Sequence, residues 1–224
     1  MKLDRVSPLA ATGTVACTFA SLILDNGPPD TSSALAIQAH YAAARVRIEW
    51  SELLFGFAAV FLLFFVAEVA QHLRGRVDPR AALPGVILPA GAVLVALQLE
   101  FQAAWFTLAR QPAPALTGAL HEAWLYHDLG DSFAVMGTFA AFALVGAATI
   151  ASYRGAFPRW IAHVGAIASA ILAVDCFVQV LANDSFLGNP MGIVSELAFL
   201  TWVLCVGFAS RDIAEGALLE SERF

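Results

Sequence analysis

Six apolar stretches alternate along this chain with short polar connections. They run Ser7–Leu24, Trp50–Gln71, Leu83–Ala109, Ser132–Ser152, Trp160–Leu181 and Met191–Ser210. A helix that crosses a bilayer needs about 20 mostly apolar residues. In hydrocarbon every backbone N–H and C=O must be satisfied within its own segment or barrel, which favours helices for such runs. The pattern therefore predicts an all-α integral membrane bundle of six transmembrane helices. The second helix is expected to begin ahead of its apolar run, near Thr31-Ser32-Ser33, whose hydroxyls suit an N-cap. His40 and Tyr41 would then stand above the bilayer.

The connections add little. The longest are Asp25–Ala39 and Gln111–Asp131, and Asp25-Asn26-Gly27-Pro28-Pro29-Asp30 reads as a turn-rich loop. The tail from Arg211 to Phe224 reads as a fraying helix end. Residues 1–224 are thus expected to form one domain. No internal repeat of the kind found in many transporters is visible.

Charge orients the bundle. With the N-terminus inside, the inner side carries Lys2, Arg5, Arg74, Arg76, Arg80, Arg154, Arg159, Arg211 and Arg223. The outer side carries only Arg45, Arg47 and Arg110. The positive-inside rule then predicts both termini in the cytoplasm of a cell-membrane protein. Trp105 and Trp160 fall near the ends of their spans, as interface belt residues do. Thr14-Val15-Ala16-Cys17 resembles a weak lipoprotein cleavage box. Its threonine three before the cysteine, and an apolar run continuing to Leu24, favour a retained span.

Composition agrees and excludes several functions. Hydrophobic residues make up 59% of the 224, and charged residues 13%, against about 25% in soluble domains. A net charge of −6 argues against nucleic acid as a partner. The sole lysine is Lys2, so a retinal-type Schiff base within the membrane is excluded. Cys17, Cys176 and Cys205 lie in apolar segments and form no C-x-x-C pair, so no disulfide framework is expected. Neither a G-x-S-x-G elbow nor a phosphate-binding Gly-rich loop is present. No cofactor is expected.

The informative residues are acids inside apolar runs. Glu100, Asp175 and Glu196 lie on three separate spans. A carboxylate at the centre of a membrane helix costs roughly 2.5–3.5 kcal/mol on insertion scales. At 1.5 Å per residue they lie roughly 13, 11 and 8 Å below the outer ends of their helices. They are expected to meet in a shared polar interior, as acid–base groups. Glu52, Gln98, Gln102, Trp105, His127, Asp131 and Gln179 would line it or its mouth. Gln98 and Gln102 share one face of the third span with Trp105, while Glu100 points the other way. Asp175 and Gln179, four apart, would present one hydrogen-bonding face towards Glu100. Arg45, Glu49 and Glu52 share a face, either as a surface ion pair or as an arginine compensating a carboxylate inside the bundle. His127 and Asp131, four apart at an expected helix start, have the spacing of a chelating pair. No H-E-x-x-H motif accompanies them, and no metal site is expected.

Two stretches carry a resemblance. Tyr41-Ala-Ala-Ala-Arg45-Val-Arg47-Ile-Glu49 leads into the apolar run Leu53–Val66, and Arg154-Gly-Ala-Phe-Pro158-Arg159-Trp160-Ile-Ala-His163-Val-Gly165 opens a late span. Together they resemble small multi-pass, mainly actinobacterial membrane proteins grouped as a domain of unknown function. The resemblance implies a helical membrane fold and no established activity.

Three functions fit the site chemistry. The first is an outward-facing acidic cavity that binds or transforms a lipophilic small molecule, by isomerase- or cyclase-type proton transfer if it is an enzyme. The second is a non-catalytic membrane subunit or immunity-type protein. The third is a proton- or ion-coupled carrier. The expected partners are the lipid bilayer, a lipophilic ligand and a second copy of the chain.

Overall fold

The structure is a computed structural model that describes residues 6–24, 33–76, 83–110, 117–182 and 190–221. Among them are six helices: α1 (Val6–Leu24), α2 (Ala34–Arg74), α3 (Leu83–Arg110), α4 (Thr117–Tyr153), α5 (Arg159–Ala182) and α6 (Pro190–Ser221). The described residues contain no strand. Five helices, α2 to α6, are long and apolar enough to cross a membrane, and α1 carries a shorter apolar stretch, Pro8–Leu24. The chain is an all-α, multi-pass membrane protein. The loop Asp25–Asp30, Lys2, Arg5, Arg80 and Arg223 lie outside the described residues.

Local signals set several helix ends. Ser33 has an extended backbone, and its hydroxyl accepts the Ala36 N–H at 3.3 Å, the N-cap expected for α2. α4 ends on Gly155, whose φ of +92° suits only glycine without strain. The Ala156 N–H reaches back to the Ala151 carbonyl at 3.1 Å, and the Gly155 N–H to that of Ser152 at 3.0 Å. This is a Schellman closure. Pro158 then leads into α5, and His72 of α2 clasps the turn. Its Nε2 lies 3.0 Å from the Ala156 carbonyl, and its ring stacks on Phe157 at 4.6 Å.

Each helix packs on its chain neighbours, and α6 returns to α1, so the six form a closed ring in which α2 also touches α4. Neighbours run antiparallel. Ser21 meets Ser51 where Gly13 lies against Phe61. Trp105 lies by Gly130 where Leu94 lies by Gly137. One end of the bundle therefore carries the α1–α2, α3–α4 and α5–α6 connections, and we call it the site end. The other carries the α2–α3 and α4–α5 connections, with Arg74, Arg76, Arg154 and Arg159 beside them.

α2 and α4 are longer than a membrane requires. The 41 residues of α2 make about 60 Å of helix against a hydrocarbon core of about 30 Å. Both begin well before their apolar runs, so the helices stand proud at the site end.

The two halves of the bundle pack differently. Away from the site end the interior is solid: Phe65, Val66, Leu144, Val145, Val203 and Val206 are fully buried. Phe65 meets Trp202 edge-on at 5.8 Å. Gly91 lets α3 press on α2 there, since a Cβ at that position would overlap Val66. Gly91→Val is expected to destabilise the bundle by about 1–3 kcal/mol through overpacking. Gly56→Ala, with no atom within 4 Å of the added carbon, is expected to be neutral. Thermal unfolding of the two variants in detergent checks both.

Candidate functional site

Polar side chains from five helices gather towards the site end. On α5, Asp175 is fully buried. Its Oδ2 accepts the Gln179 amide from one turn on at 2.7 Å, and the Ser195 hydroxyl of α6 at 2.5 Å. Ser195 also lies 2.9 Å from the Gly192 carbonyl. A hydroxyl has one proton, and the shorter contact to Asp175 takes it. Asp175 Oδ1 and Gln179 Oε1 are buried without a hydrogen-bond partner among the described residues. In hydrocarbon a polar group without a partner costs several kcal/mol, so this knot fixes α5 against α6.

A second knot joins α1, α2 and α3. The Gln102 amide, turned to satisfy both groups, donates to the Glu52 carboxylate. Both side chains are buried. One residue before Glu52, Ser51 shares a 2.7 Å hydroxyl–hydroxyl bond with Ser21 of α1.

Between these knots the interior is hollow. A cavity of about 240 Å³ lies among α1, α2, α3 and α6, lined on its polar side by Thr18, Ser21, Ser51, Glu52, Gln102 and Glu196. A smaller one of about 60 Å³ lies among α2 to α6, with Gln98, Thr138 and Ser195 in its wall. Phe55, Phe101 and Glu196 belong to both linings. Glu196 thus stands where the two spaces adjoin, with no hydrogen-bond or ion-pair partner among the described residues. Among the described residues no lysine, arginine or histidine lines either space. Of the larger one's lining residues, Phe19 and Ile23 of α1 and Ile193 and Leu197 of α6 are exposed.

Glu100 is not part of this interior. Its side chain is exposed on the outer face of α3. Gln98, Phe101, Gln102 and Trp105 take the inner face, and Glu100, two residues from both Gln98 and Gln102, is about 200° from them around the helix. The expected meeting of three acids is therefore corrected. Asp175 and Gln179 turn to Ser195, and the second acid of the cavity is Glu52.

Other expectations shift too. Trp105 is not a belt residue: it is 4% exposed, tilted on Phe101 at 4.4 Å and stacked with His127 at 6.0 Å. Trp160, 49% exposed, does face outward at its helix end. His127 and Asp131 lie about three turns inside α4, not at its start. His127 Nε2 is 3.7 Å from Asp131, and its Nδ1 is 3.4 Å from the Tyr41 hydroxyl of α2. This cluster packs beside the cavity, with Trp105 the member that reaches its wall. Among the described residues no three His, Cys, Asp or Glu side chains are grouped to hold a metal ion; the side chains of His121 and Glu122 lie outside them. Arg45 pairs with Glu49 at 3.3 Å, and Arg110 joins at 3.2 Å, both arginines being exposed and Glu49 partly so. That is a surface pairing, and Arg45 does not compensate Glu52.

Sequence reasoning missed Ser195, Ser51 and Ser21, the hydroxyls that tie the acids and their helices. Ser195 and Ser51 stand immediately before Glu196 and Glu52. A serine adjoining an intramembrane acid was the available signal.

One family model, described as Domain of unknown function (DUF4386), matches residues 9–207. No curated protein and no solved structure matches the chain.

Ser195→Ala is expected to cost about 1–3 kcal/mol, because it removes one of the two hydrogen bonds that the buried Asp175 Oδ2 accepts. Glu100→Gln, at an exposed position on α3, breaks no tie of this kind and is expected to lower the unfolding midpoint less than Ser195→Ala. Unfolding midpoints of the two purified variants, measured side by side, test the assignment of inner and outer faces.

Proposed function

The chain belongs to the family described as Domain of unknown function (DUF4386), and we propose that it binds or transforms a lipophilic small molecule in an acidic cavity within one half of the membrane. Residues 1–224 act as a single six-helix domain of the cell membrane, with both termini cytoplasmic and the site end outside. The observation that carries this reading is the hollow itself: an apolar-walled space with Glu52 and Glu196 in its lining. Apolar pockets with a few convergent polar groups are the usual form of small-molecule sites. Carboxyl groups held away from water can keep a proton at neutral pH and give it up to a bound substrate.

Glu196 is the acid–base group, since it reaches both spaces. Glu52 orients the ligand with Gln102 beside it. Asp175, buried behind Ser195, positions the α5–α6 wall. A coupled carrier needs a polar route through the bundle, and the packed core around Phe65 and Trp202 fills the half beyond the cavity. A purely structural subunit would have no use for an acid left without a partner at the junction of two spaces.

Mass spectrometry of lipid extracts from purified protein is expected to show a co-purifying lipophilic molecule that is lost from a Glu52→Gln, Glu196→Gln double variant. Equal recovery from both proteins would refute the reading. The orientation has its own test. In a background lacking Cys17, Cys176 and Cys205, Arg47→Cys is expected to react with a membrane-impermeant maleimide on intact cells, and Arg154→Cys only after lysis.

A further inference from the structure

The polar groups lining the larger cavity are carboxyls, hydroxyls and one amide, with the Trp105 indole nitrogen lying by Gly130 of α4. Glu52 and Glu196 offer carboxyl oxygens, and Thr18, Ser21 and Ser51 offer hydroxyls. The amide nitrogen of Gln102 is turned to Glu52. Among the described residues no cationic side chain lines the space. Of the arginines on these helices near this end, Arg45 and Arg110 are engaged with Glu49, and Arg47 is exposed. A phosphate or carboxylate head group would find no counter-charge among these lining residues, and an anion buried without one is strongly unfavourable. A head group that donates hydrogen bonds and carries positive charge meets the opposite situation: charge-assisted bonds to two carboxyl groups in surroundings of low polarity.

The shape restricts the remainder of the ligand. The space, about 240 Å³, is somewhat below the ~300–1,000 Å³ of ordinary small-molecule sites. Four of its apolar lining residues, Phe19 and Ile23 of α1 and Ile193 and Leu197 of α6, are also exposed on the outside of the bundle. Apolar side chains shared by the cavity wall and the outer surface point to entry of an apolar chain between these two helices.

We propose that the cavity takes a single-chain amphiphilic amine, which enters from the bilayer between α1 and α6 and sets its ammonium group between Glu52 and Glu196. This rests on the pocket reading above and specifies the ligand class of that same site.

The test uses the full chain in phosphatidylcholine nanodiscs, titrated with dodecylamine, dodecanol and dodecanoate and read by native mass spectrometry. Dodecylamine is expected to give a saturable one-to-one adduct, at least tenfold tighter than dodecanol, and dodecanoate none. Glu196→Gln is expected to weaken dodecylamine tenfold or more and leave dodecanol unchanged. Leu197→Trp, which adds bulk between these two helices, is expected to weaken both. Circular dichroism and a single gel-filtration peak establish that each variant is folded. Dodecanoate bound as tightly as dodecylamine, or an amine affinity untouched by Glu196→Gln, would overturn the assignment. Dodecanol bound as tightly as the amine would overturn the head-group class and leave the pocket reading standing. Failure of all three to bind would remove both.

Discussion

A carboxyl group in hydrocarbon must find hydrogen-bond partners or a polar space, and the site half of this bundle is arranged around that requirement. Asp175 meets it through Gln179 and Ser195. Glu52 meets it through Gln102. Each solution uses a side chain from a different helix, so satisfying the acid also fixes the spacing of two helices. In a membrane the apolar effect offers no net pull between helices, because lipid tails are as apolar as leucine. Polar ties of this kind, with close packing, are what remain to set the geometry.

Close packing governs the other half. There Gly91 brings α3 onto α2, and Phe65 and Trp202 fill the axis between α2 and α6. The His72 clasp on the Schellman turn closes the end. Near the α3–α4 connection a second apolar cluster, with Tyr41, Ile48 and Leu108 fully or nearly buried, packs α2 against α3. The cavity lies between these two packed regions. Its polar side carries Glu52 and Glu196, and the packed core around Phe65 and Trp202 lies beyond it.

The extended ends of α2 and α4 add a layer above the cavity. There Tyr41 meets Trp105 and His127 edge-on, His127 stacks with Trp105, and Trp105 belongs both to the ring cluster and to the cavity wall.

The sequence by itself determined the class of fold, the number of helices and several of their ends. Twenty-residue apolar runs leave the backbone little choice in lipid, Ser33 has a capping hydroxyl, and Gly155 followed by Pro158 dictates a stop and a restart. It also determined that acids sit within spans. It did not determine which acid faces inward. These helices are apolar on nearly every side, since both lipid and protein interior accept leucine and alanine, so periodicity carries no label for inside. Glu100 and Glu52 exchanged places in importance for that reason. Glu100 stands deep in its apolar run yet points outward, while Glu52, close to the rim in sequence, is turned in by Gln102 on the neighbouring helix. Which helices touch, and hence which serine reaches which carboxyl group, is a property of the closed ring, and only the tertiary structure decided it.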